Sequence, residues 1–205
     1  MPTYKLYYFN SRGTGEPIRL IFAQAGVAYE DVRLTPEQWA EFKPRTPYGV
    51  MPVLEVDGKI LGGSEPIARY LAKQFGMAGE DDWASTILDG AVDATGDLSL
   101  KIMEFYFEKD DERKAAIKKD LEEKIVPRVL GGLQKLAAAN NCMDGWFYGP
   151  KVTYADIIFT HMMSYVVLVL PDVLDKYPAL KKLKESVEKL PNIAKWIKER
   201  PVTDH

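Results

Sequence analysis

Apolar positions in the first third of the chain recur first with a period of two and then with the wider spacing of a helix. Residues 4–9 are predicted to form a strand, 16–25 a helix that ends at Gly26, and 29–34 a second strand. This order predicts a βαβ unit.

A predicted loop that contains Trp39 follows, and the strand pattern then resumes. Short strands are predicted at 53–56 and 59–61, with the hairpin-like turn Val56-Asp57-Gly58-Lys59 between them. A helix follows over residues 64–75. The combined order fits a small thioredoxin-like sheet.

The rest of the chain has helical spacing after a short Gly-rich, acidic connection at 76–82. Long helical segments are predicted near 83–107 and 113–139. We therefore predict an α/β thioredoxin-like domain over residues 1–78, followed by an all-α domain over residues 79–205.

One motif in the helical part is predicted to be structural. Thr153-Tyr154-Ala155-Asp156 has the spacing of a capping box, in which Thr153 bonds forward and Asp156 bonds back. Val152 and Ile157 are placed for a hydrophobic staple. Loss of Asp156 is expected to reduce stability by about 1 kcal/mol, so we do not assign it as a catalytic acid.

Composition excludes several functional classes. The 205 residues are 46% hydrophobic and carry a net charge of −3, with basic residues scattered among acidic ones. That pattern favours a sizeable core and lacks the basic footprint of a nucleic-acid-binding protein. The longest apolar stretch, near 165–170, is far shorter than the roughly 20 residues of a membrane helix, and the first residues do not resemble a signal peptide. We expect a soluble, cytoplasmic protein.

Cysteine and histidine are too sparse for dithiol or metal chemistry. Cys142 is the single cysteine, and the two histidines, His161 and His205, lie far apart in the sequence. We expect no metal site, and we interpret Cys142 and His161 as packing residues. Any reactive thiol is expected to arrive with a ligand.

The segment around Met51-Pro52-Val53 and Ser64 suits a thiol peptide such as glutathione. A strand edge before Val53 can bond to an extended ligand, while Ser64, at a helix start, offers a hydroxyl and amide groups to a carboxylate. The first strand could add a phenol. Because side chains alternate along a strand, only one of Tyr7 and Tyr8 can face the site.

These motifs resemble the sigma class of cytosolic glutathione transferases over essentially the whole chain. The resemblance rests on residues 7–10, Trp39, Lys43, 51–58, 67–71 and 200–204. It implies a thioredoxin-like domain that binds glutathione and an all-α domain that supplies most of the electrophile pocket. It also implies a homodimeric enzyme that conjugates glutathione, its co-substrate, to small hydrophobic electrophiles, with no tightly bound cofactor.

The resemblance gives the candidate residues their functions. Tyr8 would donate a hydrogen bond that favours the thiolate by about two pKa units, or roughly 2.7 kcal/mol. Trp39 and Lys43 would hold the glycyl carboxylate, and Ser64 the γ-glutamyl end. Asp97 would reach across a dimer interface to the γ-glutamyl ammonium group.

The resemblance further implies that Pro52 is cis and turns the backbone of Met51 toward the cysteinyl unit of the ligand. It places an apolar electrophile pocket beside the thiolate. The residues expected to line that pocket are Phe9, Ile158 and Met162, with Met103 or Phe107 on the preceding helices.

Three positions depart from the sigma-class pattern. Gly63 stands where a Gln usually holds the γ-glutamyl group, so glutathione is expected to bind up to roughly tenfold more weakly. Thr14 stands where vertebrate prostaglandin D synthases of this class carry Arg, and Gly96 replaces an acid beside Asp97. Both changes lower the expectation of prostaglandin synthase activity.

Other functions stay open at this point. They are a prostaglandin D synthase-type isomerase, an S-crystallin-like structural protein with little activity, and a non-catalytic carrier of hydrophobic ligands. Gly13-Thr14-Gly15 does not indicate nucleotide binding, because the third glycine of that motif is absent and Pro17 follows.

Overall fold

Four strands form a mixed sheet in the N-terminal part of the computed structural model, which describes residues 2–140 and 145–203. They are β1 (Tyr4–Phe9), β2 (Glu30–Leu34), β3 (Val53–Val56) and β4 (Lys59–Gly62). Strand β1 is parallel to β2 and antiparallel to β3, which is antiparallel to β4, so the order in space is β2-β1-β3-β4. Asp57 and Gly58 both have positive φ, 47° and 81°, as the favoured two-residue hairpin turn requires.

Three helices accompany the sheet and complete the predicted α/β arrangement. They are α1 (Glu16–Ala25), α2 (Pro36–Phe42) and α3 (Ser64–Phe75). Helices α1 and α3 end at Gly26 and Gly76, both in the left-handed conformation that favours glycine at a helix end. The fully buried side chains include Leu6, Ile18, Ile21, Phe22, Leu54, Ile67 and Leu71. The predicted thioredoxin-like fold is confirmed.

Helix α2 corrects the prediction of a loop around Trp39. The Gln38 amide donates to Thr35 Oγ1 (3.3 Å), and the Thr35 amide donates to Gln38 Oε1 (2.9 Å), which forms a capping box. Pro36 occupies the first helical turn, where its fixed φ is favourable. The start signal was therefore present in the sequence, and Lys43 marks the end of the helix.

The C-terminal part is helical, as predicted. Its helices are α4 (Asp82–Phe107), α5 (Asp111–Asp120), α6 (Val126–Ala139), α7 (Tyr154–Val169), α8 (Pro178–Lys189) and α9 (Pro191–Glu199). A π-helical turn, Leu121–Ile125, joins α5 to α6. Pro127, just after it, has no amide hydrogen for an ordinary helical bond, which accounts for the wider turn.

Two compact units divide the chain: Met1–Met77 with Leu190–His205 form the first, and Ala78–Lys189 form the second. The first unit therefore takes in α9, the last helix. The domain boundary predicted after residue 78 stays a prediction.

The capping box at the start of α7 is confirmed, and Asp156 has one further bond. Its carboxylate accepts bonds from the amide of Phe147 (2.8 Å) and from the amide and hydroxyl of Thr153 (both 2.7 Å). Asp156 has no exposed surface. Burial raises the pKa of this carboxyl to about 6, although the three hydrogen bonds act to lower it.

Within residues 2–140 and 145–203, no helix is long and apolar enough to cross a membrane. The same two ranges contain no cluster of three or more side chains suited to hold a metal ion. His161 is buried, with its ring edge-on to Tyr165 at 5.2 Å, which confirms the prediction that it packs in the interior. Cys142 and His205 lie outside the described residues.

Asp156→Asn is expected to reveal an unusual pH dependence of stability. The pKa of Asp156 is higher in the folded chain than in the unfolded one, so the folded state binds more protons between about pH 4 and pH 6. The contribution of the Asp156 carboxyl to the free energy of unfolding is therefore complete below its pKa in the unfolded chain, and it is lost as pH rises through its pKa in the folded chain. Relative to Asp156→Asn, the native chain should lose roughly 3 kcal/mol of unfolding free energy across that window.

Urea unfolding of both proteins at several pH values measures this difference, in which the titration of all other groups cancels. If this difference in unfolding free energy changed with pH in the opposite direction, the three hydrogen bonds would lower the pKa of Asp156 by more than burial raises it.

Candidate functional site

Tyr8 lies near the end of β1, where its hydroxyl oxygen meets Thr14. The Thr14 amide donates to Tyr8 Oη over 3.1 Å, and Thr14 Oγ1 is 3.1 Å from the same oxygen. In the antiparallel pair of β1 and β3, Tyr7 lies opposite Val53. Tyr8 comes directly after Tyr7 and Pro52 directly before Val53, so Tyr8 and Pro52 are neighbours at one end of the sheet. The phenol is therefore fixed next to the segment predicted to bind a peptide.

Tyr7 has different partners, as strand alternation predicts. Its hydroxyl donates to Glu55 (2.9 Å), and its ring stacks on Phe42 with centroids 4.5 Å apart. These contacts attach helix α2 to β1. Of the two neighbouring tyrosines, Tyr8 is the one placed beside Pro52.

Two glycines leave room for the Tyr8 ring. A Cβ atom on Gly13 would collide with the Tyr8 hydroxyl, and one on Gly15 would lie 2.6 Å from ring atom Cδ1. Gly13 also has a φ of +39°, which disfavours other residues. Gly13 and Gly15 do not form a nucleotide-binding motif, and their spacing is explained by the space that the Tyr8 ring occupies. We call the turn Gly13-Thr14-Gly15 the Tyr8 socket.

Arg19, on α1, holds the turn that follows β1. Its guanidinium group donates to the carbonyl oxygens of Ser11 (2.7 Å) and Phe9 (3.4 Å), and to the carboxylate of Asp31 (3.1 Å). The guanidinium carbon lies 5.7 Å from the centre of the Tyr8 ring. Arg19 has no exposed surface, so a fully buried cation fixes the backbone on both sides of this turn.

Glu16 compensates that buried charge and connects it to the end of the chain. Its Oε2 is 3.3 Å from Arg19, while its Oε1 accepts bonds from the indole of Trp196 and the guanidinium of Arg200, both at 2.8 Å. Glu16 is only 1% exposed. We call Glu16, Arg19, Asp31, Trp196 and Arg200 the buried ion network.

Sequence reasoning did not find this network. Glu16 and Arg19 are three residues apart at the start of a helix, a spacing that is ordinarily interpreted as a surface ion pair. Trp196 and Arg200 are separated by one helical turn, which predicts that they share a face but does not identify its partner. Only the Arg200 motif carried a signal, since it contributes to the family resemblance.

Trp39 and Lys43 lie near the same end of the sheet. The Trp39 ring packs edge to face against Phe9, with centroids 6.4 Å apart. A Cβ atom on Gly49 would lie 3.4 Å from Lys43 Cε, so the lysine stem lies against the loop that leads to Met51. Lys43 is exposed and Trp39 is half-buried. Their predicted contacts with a glycyl carboxylate stay predictions.

The segment from Met51 to Ser64 forms a continuous edge. The Met51–Pro52 peptide bond is cis, which confirms the isomer implied by the family resemblance. The Gly63 amide donates to the Pro52 carbonyl oxygen (3.2 Å). Ser64 is the first residue of α3, where a helix supplies no carbonyl partner for the amide. This arrangement suits a carboxylate ligand, and its assignment to glutathione stays a prediction.

Gly63 caps α3 with φ 92° and ψ 134°, a conformation that is unfavourable for any residue with a side chain. A Cβ atom there would touch only Pro66, at 3.4 Å, so space is not the constraint. The backbone conformation at this position therefore explains the glycine, and the sequence alone did not predict that conformation.

Asp97 belongs to the second unit, where its carboxylate accepts a bond from Arg128 (2.8 Å). Both side chains are about half exposed. The structure thus gives Asp97 a partner in its own chain, and its reach into a second subunit stays a prediction.

The residues predicted to line the electrophile pocket are divided between the units. Phe9 lies in the first, and the other four are spaced one helical turn apart on α4 (Met103, Phe107) and α7 (Ile158, Met162). Met103 and Phe107 are 47% and 72% exposed, which is unusual for large apolar side chains and contrasts with ordinary core packing. The helices meet at Tyr106 and Tyr165, whose rings pack edge to face at 6.3 Å. The pocket itself stays a prediction.

Comparison with known proteins gives matches along almost the whole chain. Residues 14–80 match the family described as "Glutathione S-transferase, N-terminal domain", and residues 96–200 match "Glutathione S-transferase, C-terminal domain". Glutathione S-transferase 1 of Ascaris suum is 41% identical over 213 residues, covering 100% of both chains. Hematopoietic prostaglandin D synthase of Gallus gallus is 39% identical over 203 residues, covering 99% of each.

Among solved structures, a monomeric glutathione S-transferase from the hookworm Necator americanus superimposes with a TM-score of 0.88 at 34% identity. The superposition covers 99% of this chain and 100% of that one. Both the sequence and the fold are therefore similar to those of full-length enzymes.

Arg200→Gln is expected to lower the free energy of unfolding by about 2 kcal/mol, because it removes a charged hydrogen bond from the buried Glu16 carboxylate. Lys181→Gln is the matched control, since Lys181 makes an ion pair of similar length with Asp175 (2.7 Å) in which both partners are exposed. Urea unfolding should show a clearly smaller loss for the control. Equal losses of unfolding free energy in the two variants would mean that burial of Glu16 does not strengthen its bond with Arg200.

Proposed function

This chain belongs to the glutathione S-transferase family, and we propose on that premise that it conjugates the thiolate of glutathione to small hydrophobic electrophiles. The observation that carries the proposal is the placement of Tyr8, whose phenol is fixed by Thr14, Gly13 and Gly15 beside the Met51–Pro52 edge. A donor held in that position needs no movement to meet a cysteinyl sulfur bound along the edge.

In the proposed reaction, Tyr8 donates a hydrogen bond to the glutathione sulfur and keeps its own proton. The thiol proton passes to solvent, and the bond from Tyr8 stabilises the thiolate, so that more of the bound thiol ionises near neutral pH. The sulfur then uses its electron pair to form a bond to the electrophilic carbon. With an aryl chloride, the carbon–chlorine bond breaks and chloride leaves with its electron pair.

The tripeptide is proposed to lie along the edge from Met51 to Ser64. The first-turn amide and hydroxyl of Ser64 suit the γ-glutamyl carboxylate, because a helix N-terminus carries partial positive charge. Lys43, exposed and close to Gly49, suits the glycyl carboxylate through a charge-assisted bond, with Trp39 beside it. The backbone of Met51 is available to the cysteinyl unit.

The electrophile is proposed to contact the apolar surface formed by Met103, Phe107, Ile158 and Met162. Met103 and Phe107 are exposed, while Ile158 and Met162 are half-buried. Apolar side chains of this kind would concentrate flat hydrophobic molecules rather than recognise one of them. This predicts broad substrate use, as expected for detoxification.

Isomerisation of the prostaglandin D synthase type is the second candidate function, and the Gallus gallus relative favours it. The Thr14 side chain, which replaces an expected arginine, favours the transferase. Assays with an aryl chloride and with a prostaglandin endoperoxide distinguish the two. A structural or carrier protein would bind glutathione or apolar ligands and turn over neither substrate.

We extend the proposal to a cytoplasmic homodimer in which Asp97 completes the site of a second subunit. Asp97 and Arg128 are both exposed, so Asp97 could leave Arg128 for the γ-glutamyl ammonium group at little cost in free energy. The monomeric hookworm relative shows that assembly varies among similar proteins.

Tyr8→Phe is expected to reduce conjugation of glutathione to chlorodinitrobenzene by roughly 100-fold, because the hydrogen bond to the thiolate is lost. Affinity for glutathione should change little, since the carboxylate contacts remain. Tyr7→Phe is the matched control, because the Tyr7 hydroxyl bonds to Glu55 instead. Initial rates near neutral pH give the comparison, and a Tyr8→Phe enzyme with full activity would remove Tyr8 from the mechanism.

Gly63→Gln is expected to bind glutathione more tightly than Gly63→Ala, by up to roughly tenfold, because it adds an amide for the γ-glutamyl group. Both variants should lose about 1 to 3 kcal/mol of stability, since each places a side chain at a φ of 92°. Glutathione titrations and thermal unfolding measure the two effects separately. Equal affinities in the two variants would show that the glutamine amide makes no contact here.

A further inference from the structure

Residues 43–50 form a loop that leads from α2 to the Met51–Pro52 edge, and Thr46 lies in its middle. Lys43, proposed to bind the glycyl carboxylate of glutathione, is its first residue. We propose that Thr46 is a positioning residue, whose hydroxyl holds Lys43 in place and so sets how strongly the glycyl carboxylate contributes to glutathione binding. This inference rests on the proposed function and concerns one end of the same site.

The Thr46 hydroxyl joins the two sides of the loop. It donates to the carbonyl oxygen of Lys43 (2.8 Å) and accepts a bond from the amide of Gly49 (3.1 Å). The Thr46 amide donates to the same Lys43 carbonyl oxygen, over 3.1 Å. Because a hydroxyl can donate and accept at the same time, one atom closes the loop from both directions. Neither a carboxylate nor an apolar side chain can make both bonds.

Burial contributes little to the shape of this loop. Six of its eight residues are exposed, and Thr46 and Gly49 are half-buried. Only its middle lies against the sheet: a Cβ atom on Gly62, in β4, would lie 3.2 Å from the Tyr48 ring and 3.5 Å from Pro47. A segment with so few buried contacts opens easily unless hydrogen bonds close it. The bonds of Thr46 therefore decide whether the two sides of the loop stay together.

The closed loop supports the lysine side chain. Gly49 has a φ of +66°, and a Cβ atom on it would lie 3.4 Å from Lys43 Cε, so the lysine stem rests on the Gly49 backbone. The bond from the Gly49 amide to Thr46 fixes that backbone. A lysine side chain has many rotamers, and selecting one of them opposes binding. A stem that already lies on Gly49 has fewer rotamers to lose when it meets a carboxylate.

The phenol of Tyr8 is held by other contacts, which belong to the Tyr8 socket. Opening the 43–50 loop therefore leaves the phenol in place. It follows that Thr46 acts on the binding of glutathione and not on the chemical step. Its loss should raise the KM for glutathione and leave kcat unchanged.

Thr46→Val is the direct test, because it removes the hydroxyl and keeps the shape of the side chain. We expect the Kd for glutathione, measured by titration calorimetry, to rise about fivefold, with kcat unchanged at saturating glutathione. Thr46→Ser, which retains the hydroxyl, should restore the native Kd. Water can replace the hydroxyl at this surface, so the melting temperature should change by no more than about 2 °C. Thr46→Ala, which also lacks the hydroxyl, should reproduce the result if Thr46→Val does not fold.

Glutathione esterified at its glycyl carboxylate separates positioning from general support of the fold. The ester lacks the charge that Lys43 is proposed to bind, so the native protein should bind it roughly tenfold more weakly than glutathione. Thr46→Val should bind the ester as strongly as the native protein does. A residue that only supported the fold would weaken the binding of both ligands by the same factor, and that result would overturn the inference. A native Kd for glutathione in Thr46→Val would also overturn it.

Two further comparisons test the path through Lys43. In the Lys43→Gln background, Thr46→Val should cause no additional loss of affinity, and a full additional loss would contradict the inference. Thr3→Val is the matched control, since the exposed Thr3 also donates a hydroxyl bond within the first unit, to Asp57 (3.0 Å). It should bind glutathione with the native Kd. An equal loss in Thr3→Val would show that the position of the hydroxyl is irrelevant.

Failure of the proposed function gives a different pattern. A native protein that bound no glutathione at millimolar concentration would overturn both proposals. One that bound glutathione and turned over no electrophile would overturn the transferase proposal alone, because the affinities for glutathione and its ester would still report on Thr46. A native enzyme that conjugated glutathione and bound the ester equally well would leave the transferase proposal in place and reject only the function of Thr46.

Discussion

The buried ion pair between Glu16 and Arg19 is the interaction on which the site depends. A charge without solvent is strongly unfavourable unless it is paired and hydrogen-bonded, and both residues meet that condition. Arg19 also donates to the carbonyl groups of the turn after β1 and to Asp31. The need to satisfy one cation therefore sets the path of the backbone that surrounds Tyr8.

The candidate residues of the first unit are held with different firmness. The Tyr8 phenol, the glycine turn and the start of α3 are held by the sheet and by buried bonds, which gives the phenol a defined position. Lys43, in the same unit, is exposed, with its stem against Gly49. The phenol proposed to meet the thiol is thus positioned more firmly than the lysine proposed to bind a carboxylate.

Local patterns in the sequence predicted most of the secondary structure. Alternation gave the four strands, Gly26 and the spacing of Thr153 and Asp156 marked helix ends, and the family resemblance singled out Tyr8 from Tyr7. Helix α2 was missed although Thr35 and Gln38 carry its start signal. The socket and the buried ion network could not be predicted, since their partners meet only in the folded chain, up to 184 residues apart.

That separation gives the protein a temporal order of assembly. During synthesis β1 and α1 leave the ribosome well before the two donors that complete Glu16, which lie 180 and 184 residues further along the chain. At about 5 to 20 residues per second, the carboxylate waits on the order of ten seconds or longer for Trp196 and Arg200. A nascent chain can therefore form its sheet early, while the buried ion network stays incomplete until Trp196 and Arg200 have emerged.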